Sequence, residues 1–270
     1  MRTILFIKNL FVNDLSRVNL KLRLSLTILC LILFSAFSQV GLKIYYIRHG
    51  EAGHNVVKEW KNVPKEQWPV YVGNSNMFTP KGEAQVLLVA EKLKKYSFDF
   101  IAVSPAWRTK QTILPYLKLM GLKAIIWPEL NEFGSQPTLL LSPDLPAPSK
   151  KYLNSDALIQ IPAEESAYFQ IREDGKYKYE LNQSQEPEAY SADIKFMLQK
   201  IIDRVHKQFG GTEKSILLVG HGNNGKSLLK LFLNDNLDKI PSIKNTGVWM
   251  IEEQKDGTFK LKLYNDEPFN

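Results

Sequence analysis

The chain has 270 residues, 44% hydrophobic and 23% charged, enough for one large buried core and unlike the composition of a disordered chain. Its net charge of +7 is unevenly placed, +4 before Gln39 and +3 after it; without a basic patch interleaved with aromatics, no nucleic-acid partner is expected. The single cysteine, Cys30, lies in the first forty residues, so a chain beginning near Gln39 has no thiol and cannot use a cysteine nucleophile.

In chain order, Leu24–Phe37 is uncharged and follows Arg17, Lys21 and Arg23. Its length suits the apolar region of a signal peptide better than a membrane span of about 20 residues. Ala36-Phe37-Ser38 supplies small residues before Gln39. Residues 1–38 are therefore expected to be a signal peptide, which places the protein in the secretory pathway, secreted or luminal. A retained signal anchor is the alternative, and only that form would engage a membrane.

Lys43–Ile47, Phe98–Val103, Leu122–Trp127 and Ser215–Val219 read as strands. Between them, Thr79-Pro80-Lys81-Gly82-Glu83 opens a helix to Lys95, with Thr79 as cap, Glu83 completing a capping box and Ala84, Leu87, Leu88 and Leu93 on the apolar face. Ser104-Pro105 repeats the cap-plus-proline signal before a helix over Ala106–Leu119. Ala189–Phe209 and Asn224–Leu233 carry helical periodicity, and Thr246–Glu252 with Phe259–Tyr264 forms a hairpin across Asp256-Gly257. His54–Asn76 reads as a loop. Prolines break up the pattern from 135 to 188, an insertion read as a lid without its own core. The fold class is therefore α/β: a three-layer sandwich with a mostly parallel sheet flanked by helices, over residues 39–270, plus that lid.

Two strands run straight into His-Gly: Lys43–Gly50 and Ser215–Gly222. Ligands of open α/β sheets sit beyond the carboxyl ends of parallel strands, so His49 and His221 are expected to share one crevice. Arg48 adds a permanent positive charge, which points to an anionic ligand, phosphate first.

The motifs carry a resemblance. Arg48-His49-Gly50-Glu51 with Asn55, Thr79-Pro80-Lys81-Gly82-Glu83-Ala84-Gln85, and Ser104 to Thr112 with Arg108 follow in order; Leu130-Asn131-Glu132 and Gly220-His221-Gly222-Asn223 complete the series. Together they resemble the histidine phosphatase superfamily, in the branch that includes cofactor-dependent phosphoglycerate mutase, from Lys43 to Met250 apart from the insertion. The resemblance implies His49 as nucleophile, Glu132 as proton donor to the leaving group, and Arg48, Arg108, Asn55 and His221 as phosphate ligands, with His221 also catalytic as a donor to the phosphoryl oxygens in the transition state. It implies hydrolysis of a small phosphate ester through a phosphohistidine, with no metal and no cofactor. His54 and His206 lack a partner at ligand spacing.

Glu132 is followed by Phe133-Gly134-Ser135-Gln136, without the arginines that hold substrate in the mutases, and His54 stands where those mutases usually carry tryptophan. Both departures favour a phosphatase over a phosphoglycerate mutase-type isomerase, and the intact set Arg48, His49, Arg108, Glu132 and His221 argues against the other alternative, a phosphate-binding module without turnover. Tyr152, Tyr168, Tyr177 and Tyr179 of the insertion are expected to shape the pocket. Glu164, Glu165 and Asp174 are the reserve proton donors. Glu51 is expected to orient its neighbours or cap a helix, and Lys226 to face solvent.

Overall fold

A computed structural model describes residues 41–133, 144–147, 158–178, 186–235, 237 and 239–269. The leader, Cys30, Tyr152 and Tyr179 lie outside the described residues. No helix among those described is long and apolar enough to cross a membrane.

The elements are β1 (Lys43–Arg48), α1 (Val57–Trp60), α2 (Pro80–Leu93), β2 (Phe100–Val103), α3 (Trp107–Met120), β3 (Ala124–Ile126) and β4 (Phe169–Ile171). After them come α4 (Pro187–Phe209), β5 (Ser215–Gly220), α5 (Gly222–Leu233), β6 (Val248–Glu253), β7 (Phe259–Tyr264) and β8 (Glu267–Pro268). They build one eight-stranded sheet in the order β4-β3-β2-β5-β1-β6-β7-β8. From β4 to β1 the strands are parallel, and β6, β7 and β8 add antiparallel pairs at the other edge.

Alternation along β1 sends Ile44 and Tyr46 to one face and Tyr45 and Ile47 to the other, and all four are buried. The first pair packs with residues of α4 and α5, such as Leu198, Ile201 and Leu229; the second packs with Val89 and Leu93 of α2 and Ile113 and Leu117 of α3. A sheet covered on both faces explains why its central strands read as unbroken apolar runs rather than alternating ones.

Three details depart from the sequence expectations. On α2 the buried stripe is Gly82, Val86, Val89, Ala90 and Leu93, while Leu87 and Leu88 are 71% and 65% exposed and Ala84 also faces solvent. Leu93 is buried as expected, but Ala84, Leu87 and Leu88 lie on the solvent face. Thr79 does cap this helix, accepting from Gly82 N at 3.0 Å, but Gly82 occupies the position where a capping box needs the acidic side chain, so Glu83 forms none. Helix α3 starts at Trp107 rather than Ala106, leaving Pro105 outside it, and Ser104 turns its hydroxyl to another task.

The insertion is also more than a lid. β4 pairs in parallel with β3, and Ile159 and Phe169 are buried in the core beside α3. Arg172, just after β4, makes a two-pronged ion pair with Glu129 at 2.7 and 2.8 Å. Lys110 of α3 holds Glu165 at 2.7 Å, and both side chains are buried. Breaking a buried pair by removing one partner costs about 3–5 kcal/mol, so these two contacts fasten the described part of the insertion to the sheet layer.

Candidate active site

The crevice forms where the chain changes direction in the sheet. The path from β1 to β2, β3 and β4 moves outward, and β5 returns to fill the slot between β2 and β1. Register places Arg48 opposite Gly220, so the next residues, His49 and His221, leave adjacent parallel strands side by side. Their ring centroids are 5.3 Å apart, and both side chains are buried.

Close packing of backbone makes this possible. A Cβ on Gly220 would fall 2.2 Å from the Tyr46 hydroxyl. That hydroxyl accepts from His221 N at 2.7 Å and donates to His221 O at 2.8 Å, bracing the β5–α5 junction from the middle of β1. Burial raises the Tyr46 pKa, so the phenol keeps the proton it donates. On the other side, Gly50 N donates to Thr112 Oγ1 at 2.9 Å, which in turn donates to Arg108 O at 2.6 Å.

A loop before β6 completes the frame. Sequence periodicity placed Thr246 in that strand, but it lies outside it in left-handed backbone, φ 56°. In that conformation Thr246 N donates to Arg48 O at 3.0 Å, and Asn245 Nδ2 donates to His49 O at 3.0 Å. Arg48 Nη1 donates to Ile243 O at 2.7 Å. A β-branched residue with positive φ is strained, and strain of this kind gathers where geometry must be held.

The imidazoles are tuned. His49 Nδ1 lies 2.7 Å from Gly50 O; a carbonyl only accepts, so the proton sits on Nδ1 and the lone pair on Nε2. Burial, then Arg108, holds its pKa well below 6.5, so the ring is neutral and nucleophilic at neutral pH. His221 is pulled down in the same direction by burial and by Arg108.

His221 has a different immediate task from the one expected. Arg108 Nη2 donates to its Nδ1 at 3.2 Å, so Nε2 carries the proton and donates to Ser104 Oγ at 2.9 Å. Both ring nitrogens are engaged, and His221 orients Arg108 rather than presenting a free donor to phosphate. Arg108 Nη2 also pairs with Glu132 Oε2. Glu132 is 27% exposed, so it lies at the mouth of the crevice, within 3.8 Å of His221 Nδ1.

Asn55 braces the loop instead of standing free: its Oδ1 accepts from Ala52 N at 3.0 Å and its Nδ2 meets His54 Nε2 at 3.1 Å. Glu51 orients its neighbours as expected, accepting from Thr79 Oγ1 at 2.8 Å and Lys81 Nζ at 2.7 Å. Lys226 donates to Ile240 O at 2.9 Å. Of the reserve donors, Glu165 is bound to Lys110 and Gln111 and Asp174 to Arg172 and Arg204, which leaves Glu164 exposed and unclaimed among the described residues.

Buried Arg48 Nε and Arg108 Nε have no acceptor among the described residues. Two guanidinium donors without protein partners beside a neutral nucleophile form a receptor for an oxyanion. A cavity of about 770 Å³ is walled by Trp107 and Asn131, the chain neighbours of Arg108 and Glu132, and by Leu158, Pro162 and Lys178 of the insertion; Arg48, His49, Arg108, Glu132 and His221 are not among its lining residues. Among the described residues, no three His, Cys, Asp or Glu side chains group as metal ligands.

The neutral imidazoles make stability depend on pH. Below 6.5 the unfolded chain takes up protons that folded His49 and His221 refuse, so stability is full above 6.5 and falls with pH through the window beneath it. Each ring contributes up to about 1.4 kcal/mol per pH unit. The thermal midpoint is expected to drop between pH 7 and 5.5, with a shallower slope in His49→Asn. A midpoint flat over this range would show that the rings charge in the folded state.

Comparisons with known proteins bear on the fold and on part of the chain. The chain is 34% identical over 92 residues to "Probable phosphoglycerate mutase GpmB" of Photorhabdus laumondii, a match covering 34% of this chain and 38% of that relative. Mycobacterial glucosyl-3-phosphoglycerate phosphatase shares the fold with TM-score 0.51 at 16% identity, over 83% of this chain and 99% of that one. Phosphoserine phosphatase from Entamoeba histolytica, solved with 3-phosphoglyceric acid, gives 0.50 at 20% identity, over 84% and 98%. The profile described as "Histidine phosphatase superfamily (branch 1)" matches residues 44–166, a little under half of the chain. That segment carries Arg48, His49, Arg108 and Glu132, and over it the chain is similar to the histidine phosphatase superfamily, branch 1.

Proposed function

We propose that this chain is a phosphomonoesterase that needs no metal ion and acts on a small phosphorylated molecule through a phosphohistidine on His49. The observation that carries the reading is a neutral His49 with a free Nε2 lone pair, flanked by two arginines with unused donors. Arg48 and Arg108 supply the charge neutralisation that a phosphate dianion requires.

The Nε2 lone pair forms a bond to phosphorus while the ester P–O bond breaks, and its electron pair leaves with the alcohol oxygen. Glu132 gives that oxygen a proton. In binding Arg108 the dianion displaces the Glu132 side chain, which turns to the leaving oxygen. Water then attacks phosphorus, the P–N bond returns its electrons to Nε2, and Glu132 recovers a proton from the water, releasing inorganic phosphate. The lack of arginine after Glu132 supports hydrolysis over return of the phosphoryl group to a product.

Hydrolysis of p-nitrophenyl phosphate is expected to persist within twofold in excess chelator. Loss in chelator, restored by a divalent ion, would overturn the metal-free step. With 3-phosphoglycerate and a bisphosphate primer, free phosphate should appear faster than 2-phosphoglycerate; the reverse order would make the chain a mutase. Saturable binding of esters with no phosphate released would make it a binding module.

A further inference from the structure

We propose that His54 is a third imidazole of the phosphate site, presenting Nδ1–H as a hydrogen-bond donor to the phosphoryl group beside His49. The proposal rests on the reading of the crevice as a phosphoryl site and adds a ligand to it.

The turn that carries His54 is fixed on all sides. A Cβ on Gly53 would fall 1.5 Å from Tyr71 O, and Gly53 N donates to Met77 O at 2.9 Å while its carbonyl accepts from Gly73 N at 3.0 Å. The Asn55 amide has one allowed orientation: its Oδ1 faces two N–H groups, Ala52 N at 3.0 Å and Asn245 Nδ2 at 3.5 Å. Its Nδ2 therefore faces His54 Nε2, at 3.1 Å. An amide NH₂ only donates, so Nε2 of His54 accepts and the ring proton sits on Nδ1.

That Nδ1–H is buried and has no acceptor among the described residues. Buried donors without partners are rare and costly, and one fixed beside a reactive centre is a donor kept for a ligand. The His54 ring lies 5.6 Å from the His49 ring, centroid to centroid. Arg48 and Arg108 are close enough to act on its charge, so a cationic ligand is ruled out and an anionic oxygen fits. Burial, then Arg108 and Arg48, lowers its pKa to about 4, so at neutral pH it donates a hydrogen bond without adding a positive charge. A phosphoryl oxygen satisfies the N–H, and the neutral ring leaves His49 unprotonated.

The test uses the whole chain, with inorganic phosphate and orthovanadate as probes that have no leaving group. Wild-type hydrolysis of p-nitrophenyl phosphate decides the underlying phosphatase reading by itself. The His54 proposal is read from binding by calorimetry, which needs no turnover. His54→Phe keeps a ring without a donor and is expected to weaken both probes about 10- to 100-fold, the range for a hydrogen bond to a charged group. His54→Gln, which keeps an N–H, should recover part of that loss. Nitrogen NMR of the wild type should show Nδ1 protonated, with its resonance shifting on vanadate addition. Vanadate affinity within twofold of wild type in His54→Phe, or an unprotonated Nδ1, overturns the proposal.

Discussion

His49→Ala is expected to abolish turnover of every phosphate ester, by about 10⁴-fold or more whatever the leaving group. The substitution removes the one atom, Nε2, that can bond to phosphorus, and leaves Arg48, Arg108 and their supports in place. Phosphate binding should therefore change far less than turnover. Rapid-quench labelling of the wild type should trap an acid-labile, base-stable phosphoenzyme that is missing in the variant. Residual turnover above one part in a hundred, with labelled protein still trapped, would place the nucleophile elsewhere.

Glu132→Gln is expected to separate substrates by leaving group. Poor leaving groups need a proton as the P–O bond breaks, so their hydrolysis should slow by about 10²- to 10⁴-fold. Activated aryl phosphates leave without help, and their rate of phosphoenzyme formation should barely change. The placement of Glu132 on Arg108 at the mouth of the crevice is what links the two steps. If good and poor leaving groups slow alike, the donor is another carboxylate. The buried pairing of Glu165 and the double pairing of Asp174 then leave Glu164 as the residue to replace.

Much of the site was legible because strand ends are local signals. Apolar runs entering His-Gly placed His49 and His221 together once the strands were taken as parallel neighbours, and the register of β1 and β5 aligns them residue for residue. Glu132 and the phosphate role of Arg108 came from the resemblance; before it, Arg108 stood out only by its place in the first turn of its helix, the end that attracts anions. What stayed hidden acts across long separations. The Tyr46 hydroxyl serves a backbone 175 residues away, and Asn245 holds His49 from 196 residues away. Such partners are set by topology and leave no trace in spacing. His54 was visible only as a departure from the mutase pattern, because its tautomer depends on how the Asn55 amide is turned. The misplacement of Leu87 and Leu88 on α2 has a similar origin: leucines on an exposed face read like core until the packing is known.

The ion pair between Arg172 and Glu129 bears on how a chain of this kind can diversify. Glu129 lies three residues before Glu132, on the short turn Pro128–Leu130, and its partner follows the edge strand contributed by the insertion. An appendage that hangs from two points can be lengthened, exchanged or trimmed without disturbing the body that bears it. This one has become part of the body: its strand closes the sheet edge, and its arginine neutralises a carboxylate on the turn that leads to the acid. Changes in the segment from Ala163 to Arg172 are therefore expected to disturb the sheet edge and the turn before Glu132 together.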